Sequence, residues 1–229
     1  MSDERMLAHG NEISYLPRNT LPPKEMYIYT IKKVINALLD LPTYWRRSTH
    51  NRLIMTLLVK NEADILEQNL LFHKHMGVDQ FIITDNDSTD GTPQIIEKYV
   101  KKGWVAQYIH EPASGYEQKR WVDRMIWLAK KRYQADWIIN ADADEFWFPS
   151  KGNLKTLLPS EHFGILSAKV RNVCPEEGKP YWEWKNVALE VPNLEDYDLS
   201  PFSLFSRHYK KVMHRAAGYI HISMGNPKV

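Results

Sequence analysis

A single cysteine, Cys174, stands among 229 residues, which excludes an internal disulfide and fits a reducing compartment. A lone thiol of this kind reads as a small core or loop residue, not as a nucleophile. No apolar run approaches the roughly 20 residues that span a bilayer, and the opening Met1 to Glu12 (MSDERMLAHGNE) is too polar for a secretory signal. Charge of one sign is also missing. Thirty lysines and arginines against 28 aspartates and glutamates leave a net charge of +2, so no global field recommends nucleic acid as a partner. Internal repeats and low-complexity tracts are absent as well. The expectation is a soluble cytoplasmic protein.

What is present is ordinary globular material with a surplus of rings. The hydrophobic fraction of 43% and charged fraction of 25% suit a packed domain. Eight tryptophans and twelve tyrosines are many for this length. Several fall in Lys179 to Asn186 (KPYWEWKN), where they suit either a sugar-stacking surface or a plain core and rim. Two regions differ in texture. Residues 1–50 open polar and proline-marked, then Met26 to Leu41 shows helical spacing through Ile28, Ile31, Val34, Ile35, Leu38 and Leu39. Tyr44 to Arg52 follows with four basic residues. This extension reads either as a helix packed on the main domain or as an amphipathic, basic segment at an anionic membrane surface.

From residue 51 to 229 the chain reads as one main domain. Leu53 to Val59 (LIMTLLV) is a continuous apolar run of strand length, the pattern of a strand buried on both faces. Residues 61–77 predict a helix capped by Asn61 and closed by Gly77, and Asp79 to Thr84 a second strand. Pro93 starts a helix that Gly103 ends. Trp104 to Ile109 reads as a third strand, residues 114–134 as a long helix, and Asp136 to Asn140 as a fourth strand. Strand and helix in strict alternation imply an α/β fold with a mostly parallel sheet and right-handed crossovers. After Pro149 the alternation fades into a short helix (153–160) and a strand at Phe163 to Val173.

Ligands of such sheets bind beyond the carboxyl ends of the strands. Three polar clusters fall there: Lys60 to Glu62, Asp85 to Thr92 (DNDSTDGT), and Asp142 to Glu145 (DADE). The third packs three carboxylates into four positions between an apolar strand and three aromatics, which demands a positive partner. Asp142 and Asp144 can converge on a hard divalent cation, Mg²⁺ or Mn²⁺, of the sort completed by substrate phosphates and water. The plain alternative is a solvated turn with lysine partners. Asp85 and Asn86 suit ribose hydroxyls or a base edge. Asp87 and Asp90 read as turn and cap residues. His73 and His75, two apart on a helix, diverge and make a poor metal pair.

Residues 57–99 (LLVKNEADILEQNLLFHKHMGVDQFIITDNDSTDGTPQIIEKY) followed by Asp136 to Phe148 resemble glycosyltransferase family 2 of the GT-A fold, in its bacterial branch with a D-x-D-E-F motif. The resemblance is specific over about residues 52–150 and fainter beyond. It implies a Rossmann-like three-layer sandwich, a nucleotide-diphosphate sugar donor, and transfer with inversion to a carbohydrate or lipid-linked acceptor, as in cell-surface polysaccharide synthesis. Residues 51–150 would then be the nucleotide-sugar half and 151–229 a shortened acceptor-side half. By position, Val59, Asn61, Glu62, Asp85 and Asn86 would line the nucleoside pocket. Asp142 and Asp144 would hold metal and diphosphate, with Gln118, Lys119 and Arg120 as further nucleotide candidates.

The implied chemistry is direct displacement at the anomeric carbon, aided by a carboxylate base. Glu176, Glu177, Glu195 and Asp196 are available, with Glu195 and Asp196 preferred. The family's closing G-N-H histidine is missing, because Gly225 and Asn226 precede Pro227. His221 or His214 would replace it as a metal ligand, and Lys211 or Arg215 would meet the diphosphate. The same departure motivates a second reading, a non-catalytic nucleotide-sugar-binding scaffold. Two other classes fit poorly. A dehalogenase-type phosphatase wants threonine or valine where Phe146 stands, and a nucleotidyltransferase wants a glycine-rich loop where Val59 to Asp64 (VKNEAD) has none.

Overall fold

The computed structural model describes residues 51–112, 117–158, 164–180, 183–186 and 210–216, and the backbone of 221–223 and 226–228. The extension expected over residues 1–50 lies outside them.

Strand β1 (Leu53–Val59) runs through the middle of the domain, and its side chains divide by parity. Leu53, Met55, Leu57 and Val59 enter one apolar cluster with Leu66, Leu70, Ile96 and Tyr99. Ile54, on the opposite face, joins Ile82, Ile138, Val122, Met125, Ile126 and Ala129. The first cluster draws on helices α1 (Leu66–His75) and α2 (Thr92–Lys101), and the second on α3 (Gln118–Lys131). The apolar run thus makes a strand covered on both sides, because successive side chains point to opposite faces. Three layers result.

Strands β2 (Gln80–Asp85), β3 (Val105–His110) and β4 (Trp137–Ala141) pair in parallel around β1, in the order β3-β2-β1-β4. The chain steps outward from β1 to β2 to β3, then returns through α3 to place β4 on the other side of β1. The crossovers therefore diverge between β1 and β4, which opens a crevice at their carboxyl ends. Beyond β4 the sheet turns antiparallel. Strand β6 (Lys210–Arg215) inserts between β4 and β5 (Ile165–Lys169), setting Met213 opposite both Ile139 and Leu166. A separate two-stranded ribbon pairs β7 (His221–Ser223) with β8 (Asn226–Lys228). The architecture is a mixed α/β sheet of six mostly parallel strands with helices, as expected.

Element bounds differ in instructive places. The first helix begins at Leu66, not at Asn61, and Asn61 is not its cap. Asn61 sits at φ +56, a left-handed conformation that asparagine tolerates, and it ends the strand instead. A turn through Glu62 then feeds the helix, with Ile65 and Leu66 both donating to the Glu62 carbonyl. Gly77 at φ +96 closes that helix as expected. The long helix starts at Gln118, and residues 113–116 lie outside the described part. The short helix after Pro149 is a single 3₁₀ turn, Leu154–Leu157, capped by the Asn153 side chain. The strand expected over Phe163 to Val173 is confined to Ile165–Lys169.

Candidate active site

Two loops at the strand ends are welded together by side chains. Asn61 donates its backbone N–H to Ser88 Oγ (2.8 Å), and Asn61 Oδ1 accepts from the Thr89 N–H (2.8 Å). The Glu62 N–H donates to Thr92 Oγ1 (2.8 Å) and the Ala63 N–H to Asp90 Oδ2 (3.0 Å). Asp90 also accepts from the Thr92 N–H (2.9 Å) in an Asx turn, one residue ahead of Gly91; the N-cap of α2 is Gly91, not Asp90. Ser88, Asp90 and Thr92 are therefore the acceptors that fix the loop after β1, and Thr89 donates back to it.

Beneath the weld lies Asp85, with no exposed surface. One carboxylate oxygen accepts from the Ser88 N–H (3.0 Å) and the Ser88 hydroxyl (2.5 Å); the other accepts from the Tyr108 hydroxyl (3.0 Å). Burial, then the bond to Asp85 and its charge, pushes the Tyr108 phenol up to about 12. Asp85, expected to touch a nucleoside, instead sits below the surface as the organiser of the loop. Its neighbour Asn86, itself largely buried, lines the cleft.

A cleft of about 280 Å³ opens at the crevice, lined by Leu58, Val59, Lys60, Glu62, Asn86, Asp142, Ala143 and Asp144. Five sequence-chosen residues thus meet: Val59, Glu62, Asn86, Asp142 and Asp144. Asn86 is 5% exposed, and its buried Oδ1 has no hydrogen-bond partner among the described residues. A buried amide oxygen left unpaired costs about 1–3 kcal/mol.

The acidic loop forms the opposite wall. Asp142 and Asp144 are exposed while Ala143 and Trp147 are buried, so alternate side chains face outward. The Glu145 N–H donates to the Asp142 carbonyl (3.1 Å) and closes the turn. Lys211, reaching over from β6, sits 3.1 Å from Asp142 Oδ2 and 2.5 Å from Glu145 Oε1. Burial disfavours its ammonium, but the two carboxylates outweigh burial and hold it above the usual lysine range. Burial raises the Glu145 carboxyl despite Lys211. Glu62 is raised too, by burial first and then by the negative charges of Asp144, Asp64, Asp142 and Asp90. Carboxylates thus crowd this wall of the cleft, and Lys211 partly offsets their charge.

Other candidates stand apart. Gln118, Lys119 and Arg120 begin α3 outside the cleft lining, and Arg120 pairs with Glu117 (2.9 Å). Glu176 is a poor base: it accepts from Lys179 Nζ (2.6 Å) and from the Lys185 and Asn186 N–H groups, and the Lys179 bond, then these amides, lower it to about 2. Glu177 is exposed. Glu195, Asp196 and the side chain of His221 lie outside the described residues. His214 is 1% exposed between the sheet and α3, not at the cleft. Among the described residues no three carboxylate, histidine or cysteine groups converge as a ready-made metal centre.

Two buried histidines make stability fall in acid. Burial lowers His73 to about 4 against a partly opposing bond to Asn69, and burial lowers His214 to about 4 as well. In the unfolded chain both titrate near 6.5. Their contribution is complete above about pH 6.5 and is lost as pH falls toward 4, because the unfolded chain then binds the protons first. The difference amounts to about 3 kcal/mol per histidine. Urea midpoints are expected to drop steeply between pH 7 and 4.5; a flat midpoint across that window contradicts the assignment.

Fold and cleft define a doubly wound α/β domain with an acidic crevice at its switch point. Residues 56–158, from β1 through the 3₁₀ turn, match glycosyl transferase family 2, and over that span the chain is similar to that family. A glycosyltransferase family 92 protein of Oryza sativa subsp. japonica is 24% identical over 147 residues, covering 60% of this chain and 24% of that protein. The lipopolysaccharide core biosynthesis glycosyltransferase LpsC of Rhizobium meliloti is 34% identical over 66 residues, 29% of this chain and 22% of that one. The chain thus spans about a quarter of the length of these relatives. Among solved structures, the mannosyltransferase PcManGT of Pyrobaculum calidifontis, in complex with GDP-Man and Mn²⁺, has a TM-score of 0.33 at 19% identity, covering 53% of this chain and 39% of that one. Glucosyl-3-phosphoglycerate synthase of Mycobacterium tuberculosis, in complex with Mn²⁺, UDP and glucosyl-3-phosphoglycerate, gives a TM-score of 0.30 at 16% identity, covering 44% of this chain and 36% of that one. No helix among the described residues is long and apolar enough to cross a membrane.

Proposed function

We propose that the protein is a divalent-cation-dependent glycosyltransferase that moves a sugar from a nucleotide-diphosphate donor to an acceptor hydroxyl with inversion. The observation that carries this reading is the meeting, in one cleft, of Asn86, whose buried amide oxygen has no partner among the described residues, with two outward carboxylates, Asp142 and Asp144. An amide acceptor on one wall suits the imide N–H or ribose hydroxyl of a nucleoside. Carboxylates on the other repel a bare diphosphate, so that half needs a cation.

The residues fit one. Asp142 and Asp144 offer hard oxygen ligands, and a site of one or two carboxylates completed by phosphate and water is how Mg²⁺ and Mn²⁺ are commonly held. Lys211 already shows that the loop accepts positive charge. When bound, the cation supplies positive charge that stabilises the departing diphosphate. This chain's residues do the rest. Val59 and Leu58 give an apolar floor, Asn86 fixes the nucleoside, and the welded loops keep that wall from moving. Lys211, at the loop's far side, stands where its ammonium can turn from Asp142 toward phosphate oxygens.

The acceptor-side base belongs to Glu195 or Asp196, since Glu176 is committed to its own turn. The name of the LpsC relative supports a saccharide or lipid-linked acceptor and a role in cell-surface polysaccharide synthesis. The basic stretch Tyr44 to Arg52 supports contact with the cytoplasmic face of a membrane. The test is calorimetry of the purified chain with UDP- and GDP-sugars, with and without Mn²⁺, followed by donor hydrolysis. Mn²⁺-dependent binding with slow hydrolysis supports the transferase. Binding with no turnover toward water or any saccharide acceptor favours a scaffold, and no binding at all rejects both.

A further inference from the structure

Three backbone groups of the acidic loop are satisfied by two side chains of one helix. Asn69 Nδ2 donates to the carbonyls of Ala143 (2.8 Å) and Glu145 (3.0 Å). His73 Nε2 accepts the Trp147 N–H (2.9 Å). Because Nε2 accepts, Nδ1 carries the proton, and it donates to Asn69 Oδ1 (2.9 Å) and the Asn69 carbonyl (3.0 Å). Both side chains are 0% exposed. They lie four apart on α1, so they share a face. Phe146 packs beside them, stacked on the His73 ring at 6.0 Å and edge-on to Phe72 at 5.3 Å.

A buried amide and imidazole are costly unless every polar atom finds a partner. Here the partners are the alternate peptide groups of one loop. Carbonyls 143 and 145 point inward to Asn69, and the exposed side chains 142 and 144 occupy the alternating outward positions. We infer that Asn69 and His73 are positioning residues that set the backbone of the acidic loop so that Asp142 and Asp144 face the cleft. They touch neither substrate nor cation. Their effect on the site rests on the metal-dependent reading above, whereas the clamp itself does not.

The experiment uses the full chain, with His73→Phe (ring kept, acceptor lost), Asn69→Asp (shape kept, donors lost) and His73→Gln as the conservative variant. Two readouts separate the clamp from the metal. Amide hydrogen exchange reports the clamp: the Trp147 N–H is expected to exchange at least about tenfold faster in His73→Phe, with β1 and β4 amides unchanged. Mn²⁺ titration by electron paramagnetic resonance, with UDP and with GDP, reports the consequence: affinity is expected to fall about 10–100-fold in His73→Phe and Asn69→Asp, with partial recovery in His73→Gln. Unchanged exchange at Trp147, or equal loosening of β1 and β4, overturns the clamp. A freed Trp147 amide with undiminished Mn²⁺ affinity overturns the positioning role. If wild type itself binds no Mn²⁺, the metal reading and the positioning role fall together, while exchange still decides the clamp.

Discussion

In Asp144→Asn, the affinity of the nucleotide-loaded protein for Mn²⁺ is expected to fall at least about 100-fold, since changes merely adjacent to metal ligands cost about 10–100-fold. The fold should be indifferent. Asp144 is exposed and makes no hydrogen bond or ion pair among the described residues, so nothing inside the protein depends on its charge for structure. Its one internal effect is unfavourable: it helps raise the Glu62 carboxyl, second only to burial. Asp142 is a less clean target because it also holds Lys211, and removing it disturbs the ion pair with the ligand. Titration of Mn²⁺ with UDP and GDP, beside an unfolding curve, checks the claim. Equal affinity in mutant and wild type rejects Asp144 as a ligand; lower stability rejects the division between site and scaffold.

The second large effect is on stability. Asp85→Ala is expected to cost about 3–5 kcal/mol, as three donors lose their shared acceptor at about 1–3 kcal/mol for each buried group left unmet. The donors are the Ser88 N–H, the Ser88 hydroxyl and the Tyr108 hydroxyl. Ser88 Oγ also accepts from Asn61, so the loss spreads to the weld between the two loops. Asp85→Asn should be much milder. Its oxygen can still serve Ser88, while its amide donates to Tyr108, whose hydroxyl is able to reverse its role. Urea unfolding of both variants decides the matter. A cost below about 1 kcal/mol for the alanine form means the carboxylate is not the loop's organiser.

The legible parts of the fold were those whose burial is written in consecutive residues. Leu53 to Val59 could only be a strand covered twice, and Trp137 to Ala141 likewise. The loops after them were legible as a site because unpaired carboxylates at strand ends need a reason. Less legible was which polar residue faces out. Asp85 and Asn86 are adjacent, and only the register of β2 decides that the first is sealed under Tyr108 and the second lines the cleft. Strand β6 left little trace, because Lys210 to Arg215 is basic at both ends and half-exposed, with burial concentrated in Met213 and His214. His73 was weighed together with His75, two places on, and set aside as half of a poor metal pair. Its partner was Asn69, four places back, and a helix face carrying Asn and His looks like a solvated one until its loop is in place. Lys211 drew notice as a phosphate contact, though its present partners are the acidic loop's own carboxylates.

The placement of β6 carries a temporal consequence. Lys211 and Asp142 are 69 residues apart in sequence, and ribosomes add about 5–20 residues each second. For roughly 3–14 seconds of synthesis, DADE emerges without its ammonium, and the β4 edge at Ile138 and Ile139 lacks its antiparallel neighbour. The first four strands can assemble in that interval from their own short-range partners, but electrostatic neutralisation must await the latecomer.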